Sequence, residues 1–196
     1  MLNGGSKFHL AFFRRDYFLN LHFCVAILCC ASCSLGHLYH CKCNCNISGM
    51  TARQMWEEYL SLKKIKDCGY EAWEFGAFPD ELAALVKSGI KTATSSAYDM
   101  YALSGEKFPQ EGAYSVILLS DGSAACIIRI VRVEIVKFCE VSAEFARKEG
   151  EGDKSLNYWR KVHEEFFKSQ LAQFGLSFSA DMKVVCEEFE LVYANQ

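Results

Sequence analysis

Residues 113–138 hold two long β-forming runs on either side of a single tight turn, and no other feature restricts the fold as much. Ala113 to Ser120 and Ala124 to Phe138 are rich in Val, Ile and Leu, and Asp121-Gly122 between them supplies the positive φ angles of a type I′ turn. They are read as an antiparallel hairpin of two long strands. The apolar residues of the second run change phase around Val131, which predicts either a bulge or a strand buried on both faces, as a barrel requires.

Helical patterning flanks the hairpin. Thr51-Ala52-Arg53-Gln54 has the form of a capping box, and Met55, Trp56, Tyr59 and Leu60 follow at helical spacing, with Gly69 as the expected end. Pro79, with Asp80 and Glu81 beside it in a first turn, opens a second helix through Leu82 and Leu85 to Gly89. The small, β-tolerant stretch Ile90 to Ser96 comes next, and then a short segment to Gly105. A helix from about Ser155 to Phe174 places Leu156, Trp159, Phe166, Phe167, Leu171 and Phe174 on one side. In a final strand, Val185, Phe189, Leu191 and Tyr193 are expected on a buried face, with Glu188 and Glu190 on a wet one. The sum is one α+β domain over residues 50–196.

Residues 1–49 differ from the rest. They hold seven of the eleven cysteines, and an apolar run from Phe18 to Leu35 interrupted by Asn20 and His22. That run is too short and too broken to span a membrane, and it has no small-x-small cleavage site. His37, His40, Cys41, Cys43 and Cys45 lack the two-residue spacing with which paired thiolates grip zinc. Met50 is therefore read as the start of the domain, and residues 1–49 as an unstructured or mis-assigned extension. Cys68, Cys126, Cys139 and Cys186 are scattered singly and fit reduced thiols in a cytoplasmic protein.

Charge and missing motifs narrow the chemistry. Residues 50–196 carry 17 Lys/Arg against 23 Asp/Glu, the opposite of the basic excess that a duplex-binding face needs, so duplex DNA is excluded as a partner. No phosphate-cradling glycine motif is present, and His163 is the only histidine of the domain, so neither a nucleotide or metal cofactor nor a two-histidine acid/base pair is expected. Two segments remain. Gly89-Ile90-Lys91-Thr92-Ala93-Thr94 sets a lysine among hydroxyls just after a glycine turn, where burial lowers a lysine pKa and makes it a candidate base for a threonine nucleophile. Glu149-Gly150-Glu151-Gly152-Asp153 sets three carboxylates close enough to shift one another's titration. As ordinary alternatives, Lys91 is a solvated charge and Asp153 a helix-start charge beside Ser155.

The first segment resembles the G-x-K-x-x-T signature of ASCH domains. The run from Ala143 through Leu156 to Trp159-Arg160, His163 and Phe166-Phe167 is similar to a bacterial subgroup of that family, and Trp73-Glu74-Phe75-Gly76 fits as well. The resemblance covers nearly all of 50–196 and implies a PUA-like β-barrel with flanking helices and a cleft at the signature loop. Family members are linked to RNA binding, to ribonuclease activity and to hydrolysis of cytidine acylated on its exocyclic amine. By that resemblance Lys91, Thr94 and Glu149 are the candidate catalytic residues, with Trp73, Thr92, Glu151, Asp153 and Arg160 as candidate substrate-binding residues. The expected ligand is a nucleoside or a short single-stranded RNA. Three functions stay open at this point: an amidohydrolase, a non-catalytic binding module that uses Lys91 for phosphate and Trp73 for stacking, and a ribonuclease. In the hydrolase, Lys91 and Thr94 are expected within one hydrogen bond or one bridging water of each other.

Overall fold

In the computed structural model, residues 49–194 are the described part of the chain. The extension assigned to 1–49 falls, but for its last residue, outside them.

The expected hairpin is the centre of the fold. Strand β3 (Tyr114–Leu118) and strand β4 (Ala124–Lys137) pair antiparallel around the Asp121-Gly122 turn. The register of β4 against the C-terminal strand β5 (Lys183–Ala194) shifts between Ile130 and Arg132, which leaves Val131 as an extra, exposed residue. The phase change in the sequence is therefore a β-bulge. Two shorter strands complete the sheet: β1 (Glu71–Glu74) runs parallel to β3, and β2 (Ala93–Ala97) runs antiparallel to β5. The order β1-β3-β4-β5-β2 gives a five-stranded, curled, barrel-like sheet.

Among the described residues five α-helices close the sheet. The capping box of α1 (Ala52–Lys63) is formed, with the Gln54 amide donating to Thr51 Oγ1 and the Thr51 amide to Gln54 Oε1. The helix stops at Lys64, in a left-handed conformation, and Gly69 serves the later turn into β1. Helix α2 (Pro79–Lys87) starts at its proline, and α3 (Tyr98–Ser104) fills the segment before Gly105. Helix α4 (Ala143–Glu149) has too few residues to show a period in the sequence, and α5 (Leu156–Ala172) is capped by Ser155.

Each long helix covers its own patch of core. Met55, Trp56 and Tyr59 of α1 pack on Val116 and Ile127, and Ala83 and Val86 of α2 pack with Trp73, Phe75, Ile117 and Phe189. Trp159, Phe167 and Leu171 of α5 pack with Phe138, Phe145, Val184 and Cys186. One expectation changes. Leu191 is exposed, beside a second register shift between Ile127 and Ile128 that makes Val192 an extra residue. Val184 to Glu187 are buried without alternation, because the sheet is covered on both faces there.

Candidate functional site

The signature loop is fixed by backbone hydrogen bonds before its side chains are considered. The amides of Ile90 and Lys91 both donate to the Leu85 carbonyl, and Gly89 makes the turn at φ +71°. The Thr92 amide donates to the Lys148 carbonyl, and the Phe189 amide donates to that of Thr92. The loop is thus stitched to α2, to the end of α4 and to β5. On the other side Gly150 has φ +76°, and a Cβ there would lie 2.6 Å from the Ile90 carbonyl oxygen. Only glycine lets the two backbones approach this closely.

That approach brings Glu149 and Glu151 onto Lys91. The Lys91 ammonium lies 2.8 Å from Glu149 Oε2 and 2.8 Å from Glu151 Oε1, with the Phe75 ring centroid at 5.3 Å. Lys91 and Glu149 side chains are each 1% exposed, and that of Glu151 is 20% exposed. Glu151 is therefore the solvent edge of the cluster. Burial lowers the Lys91 pKa, but the charges and hydrogen bonds of Glu149 and Glu151 outweigh it and hold the ammonium above its usual range. Burial likewise favours a neutral Glu149, yet the charge of Lys91, then His163, and the hydrogen bonds of Lys91 and Ser95 pull its carboxyl down to about 2. The lysine keeps its proton.

Three further groups hold Glu149. Ser95 Oγ donates to Glu149 Oε1 at 2.6 Å, Trp159 Nε1 donates to the same oxygen at 2.8 Å, and His163 Nε2 faces it at 3.5 Å. A carbonyl oxygen only accepts, so His163 Nδ1 donates to the Trp159 carbonyl at 3.0 Å, and the imidazole stacks on the Trp159 ring. Among the described residues no group of three or more His, Cys, Asp or Glu side chains is arranged to hold a metal ion.

The family model of the ASCH domain matches residues 71–193. The chain belongs to the ASCH domain family. It is similar to the crystal structure of an ASCH domain from Lactobacillus crispatus JV V101, with 35% identity and a TM-score of 0.68 over 74% of this chain and 97% of that one. A crystal structure from Enterococcus faecalis V583, described as a member of the DUF984 family, is 37% identical with a TM-score of 0.66, over 71% of this chain and 86% of the other. No curated protein matches the chain. The curled sheet is the PUA-like barrel of this family.

Within the ASCH domain, the expected site residues separate into three groups. Lys91, Glu149 and Glu151 come together as described. Thr94 does not join them: among the described residues no hydrogen bond links it to Lys91. Successive strand residues point to opposite faces, so with Ser95 aimed at Glu149, Thr94 faces the other way, opposite Glu187 of β5. Thr92 is tied to Lys148 through both its amide and its hydroxyl. The remaining group is structural in its contacts. Trp73 is buried, with its ring edge-on to that of Phe75. Asp153 is exposed and accepts from the Ser155 amide, and Arg160 donates to the Cys139 carbonyl. Ser95 and Phe75 escaped the sequence reading. Alternation from Ala93 sets Ser95 on the face that receives Lys91, which is the signal that would have found it.

Among the described residues no helix is long and apolar enough to cross a membrane.

Proposed function

We propose that this ASCH domain binds a nucleoside, or one base of a short single strand, through hydrogen-bond donors on the base and not through phosphate. One observation carries the reading: Lys91 is buried and bonded to two carboxylates, and only Glu151 of the three reaches solvent. The cluster holds one cation and two anions, so what it offers a ligand is an acceptor with surplus negative charge. Glu151 Oε1 is bonded to Lys91, and its other oxygen makes no hydrogen bond among the described residues. An exocyclic amine or ring N–H of a base satisfies such an oxygen, and a phosphate is repelled by it. Lys91 is committed to Glu149 and Glu151, so it is a poor choice for holding phosphate. The acidic balance of residues 50–196 agrees with a small neutral ligand.

A second reading is supported by the contact between Lys91 and Glu149, the two charged members of the expected catalytic set. In it the domain hydrolyses the amide of an N-acylated cytidine. A water attacks the acyl carbonyl, the carbon–nitrogen bond breaks, and the Lys91 ammonium protonates the leaving amine and recovers its proton from the attacking water, while Thr94, on the other face of β2, is not the nucleophile. An ammonium held between carboxylates is a donor before it is a base. Ribonuclease chemistry has the least support, since His163 is buried, stacked on Trp159 and hydrogen-bonded through Nδ1 to the Trp159 carbonyl.

Calorimetric titration of the full chain with cytidine, uridine and cytidine monophosphate tests the first reading. Cytidine is expected to bind, Glu151→Gln to weaken it about tenfold, and the monophosphate to gain nothing. Tighter binding of the monophosphate, or an unaffected Glu151→Gln, would sink it. Incubation with N-acylated cytidine decides the second: release of cytidine is expected, and Thr94→Ala should leave its rate unchanged.

A further inference from the structure

We propose that Tyr158 is the stacking platform on which the base lies while its donor edge meets Glu151; this rests on the nucleoside reading above. The rings around the buried cluster are all covered: Trp73, Phe75, Trp159 and His163 are buried. Tyr158 is 38% exposed, and among the described residues it packs against no other ring and its hydroxyl makes no hydrogen bond. It sits at the third position of α5, directly after the acidic turn.

A glycine seats this ring against the turn. Gly152 follows Glu151 and has φ +53°, and the atoms nearest to a Cβ built on it are Cζ and the two Cε atoms of Tyr158. The hydroxyl oxygen is not among them, so the Cβ would enter the ring through its face and not its edge. The face over Gly152 is thus occupied by backbone, and the ring has its second face for a ligand. The turn beneath is held by the Lys154 amide on the Glu151 carbonyl at 2.9 Å, with Lys154 itself at φ +63°. Ser155 Oγ accepts from the Tyr158 amide at 3.1 Å, which fixes the start of the helix. The ring is pre-positioned, so little freedom is lost when a base settles on it.

The other flank of the turn is also apolar. Ile90 is 39% exposed, and its Cγ2 lies 2.9 Å from where a Cβ on Gly150 would stand. Gly150-Glu151-Gly152 therefore runs between Ile90 and Tyr158, so the turn that carries the partly exposed Glu151 is edged by an aliphatic side chain and an aromatic one. Flat apolar faces beside a single acceptor match a nucleobase with an amine edge. They match a sugar or a free phosphate poorly.

The test is cytidine affinity of the full chain, measured for the unmodified protein, Tyr158→Ala, Tyr158→Phe, Tyr158→Leu and Gly152→Ala, with circular dichroism as the check on folding. Tyr158→Ala should weaken binding about tenfold or more, Tyr158→Phe should stay within about twofold, and Tyr158→Leu should fall with the alanine variant, because it keeps bulk and loses the π face. Gly152→Ala, which forces the ring off its seat with Glu151 still present, should lose affinity as Tyr158→Ala does. Unchanged affinity in Tyr158→Ala overturns the platform and leaves the nucleoside reading standing. An equal loss in Tyr158→Phe also overturns it, by showing that the hydroxyl and not the ring is used. If the unmodified protein binds no nucleoside, both proposals fall together.

Discussion

Under α1, the Trp56 ring lies 5.2 Å from Tyr70, 5.3 Å from Tyr114 and 5.6 Å from Tyr59, while Tyr59 lies 6.0 Å from Tyr193. At the start of β2, Lys91 stands between Glu149 and Glu151, and Glu149 takes further donors from Ser95 and Trp159. Both regions are buried and both join distant parts of the chain. They respond differently to damage. Each ring contributes area and dispersion, so losing one leaves the others in place. The ion cluster is all-or-none, because a charge left behind without its partner has neither water nor counter-charge.

The sharpest break in this contrast is Lys91→Ala, which strands Glu149 in the interior and is expected to lower unfolding free energy by about 3–5 kcal/mol in a urea titration. Adding Glu149→Met to Lys91→Met should restore part of that loss but not all, since the Ser95 hydroxyl and the Trp159 N–H lose their acceptor. A double variant no better than Lys91→Met alone would contradict the all-or-none view. In the ring cluster, Trp56→Ala should also cost about 3–5 kcal/mol, but by leaving a cavity, so a second truncation at Tyr114 should add no more than its own share.

Acid separates the two regions without mutation. The carboxyl of Glu149 titrates lower in the folded than in the unfolded chain, so its contribution is complete above the ordinary glutamate range and is lost as pH falls toward about 2. Glu149→Gln should therefore flatten the acid limb of stability against pH, whereas Met55→Ala, in the apolar core under α1, should shift the curve down without changing its slope. The smallest effect belongs to the half-exposed pair Arg129 and Glu190 on the neighbouring strands. Arg129→Ala is expected to change stability by about 0–1 kcal/mol and to do so less at high salt.

The same contrast explains what could be read in advance. Met55, Trp56 and Tyr59 announce their helix by spacing alone, and the bulge at Val131 follows from a phase change within one strand. Such signals are local, set by the period of the backbone. The pairing of Lys91 with Glu149 spans 58 residues, and composition carries no trace of it; the family signature and the acidic run pointed to it through resemblance alone. The expected contact of Lys91 with Thr94 met a strand parity that puts Thr94 and Ser95 on opposite faces, and Ser95 is the hydroxyl that reaches Glu149. Trp73 read as an open ring because its burial depends on Ala83, Val86 and Ile117 arriving from other elements. Helix α4 and strand β1 were too short to carry a period of their own.

The position of β5 between β4 and β2 has a consequence for the order in which the protein is made. The signature strand β2 leaves the ribosome long before residues 183–194, yet among the described residues β5 is its only neighbour in the sheet. During synthesis β2 thus waits as an unpaired edge until the C-terminal segment emerges, and only then does the loop bearing Lys91 gain its tie to Phe189. A chain that stalls or is clipped before Lys183 would carry Lys91, Glu149 and Glu151 intact in sequence while lacking the strand that keeps β2 in the sheet.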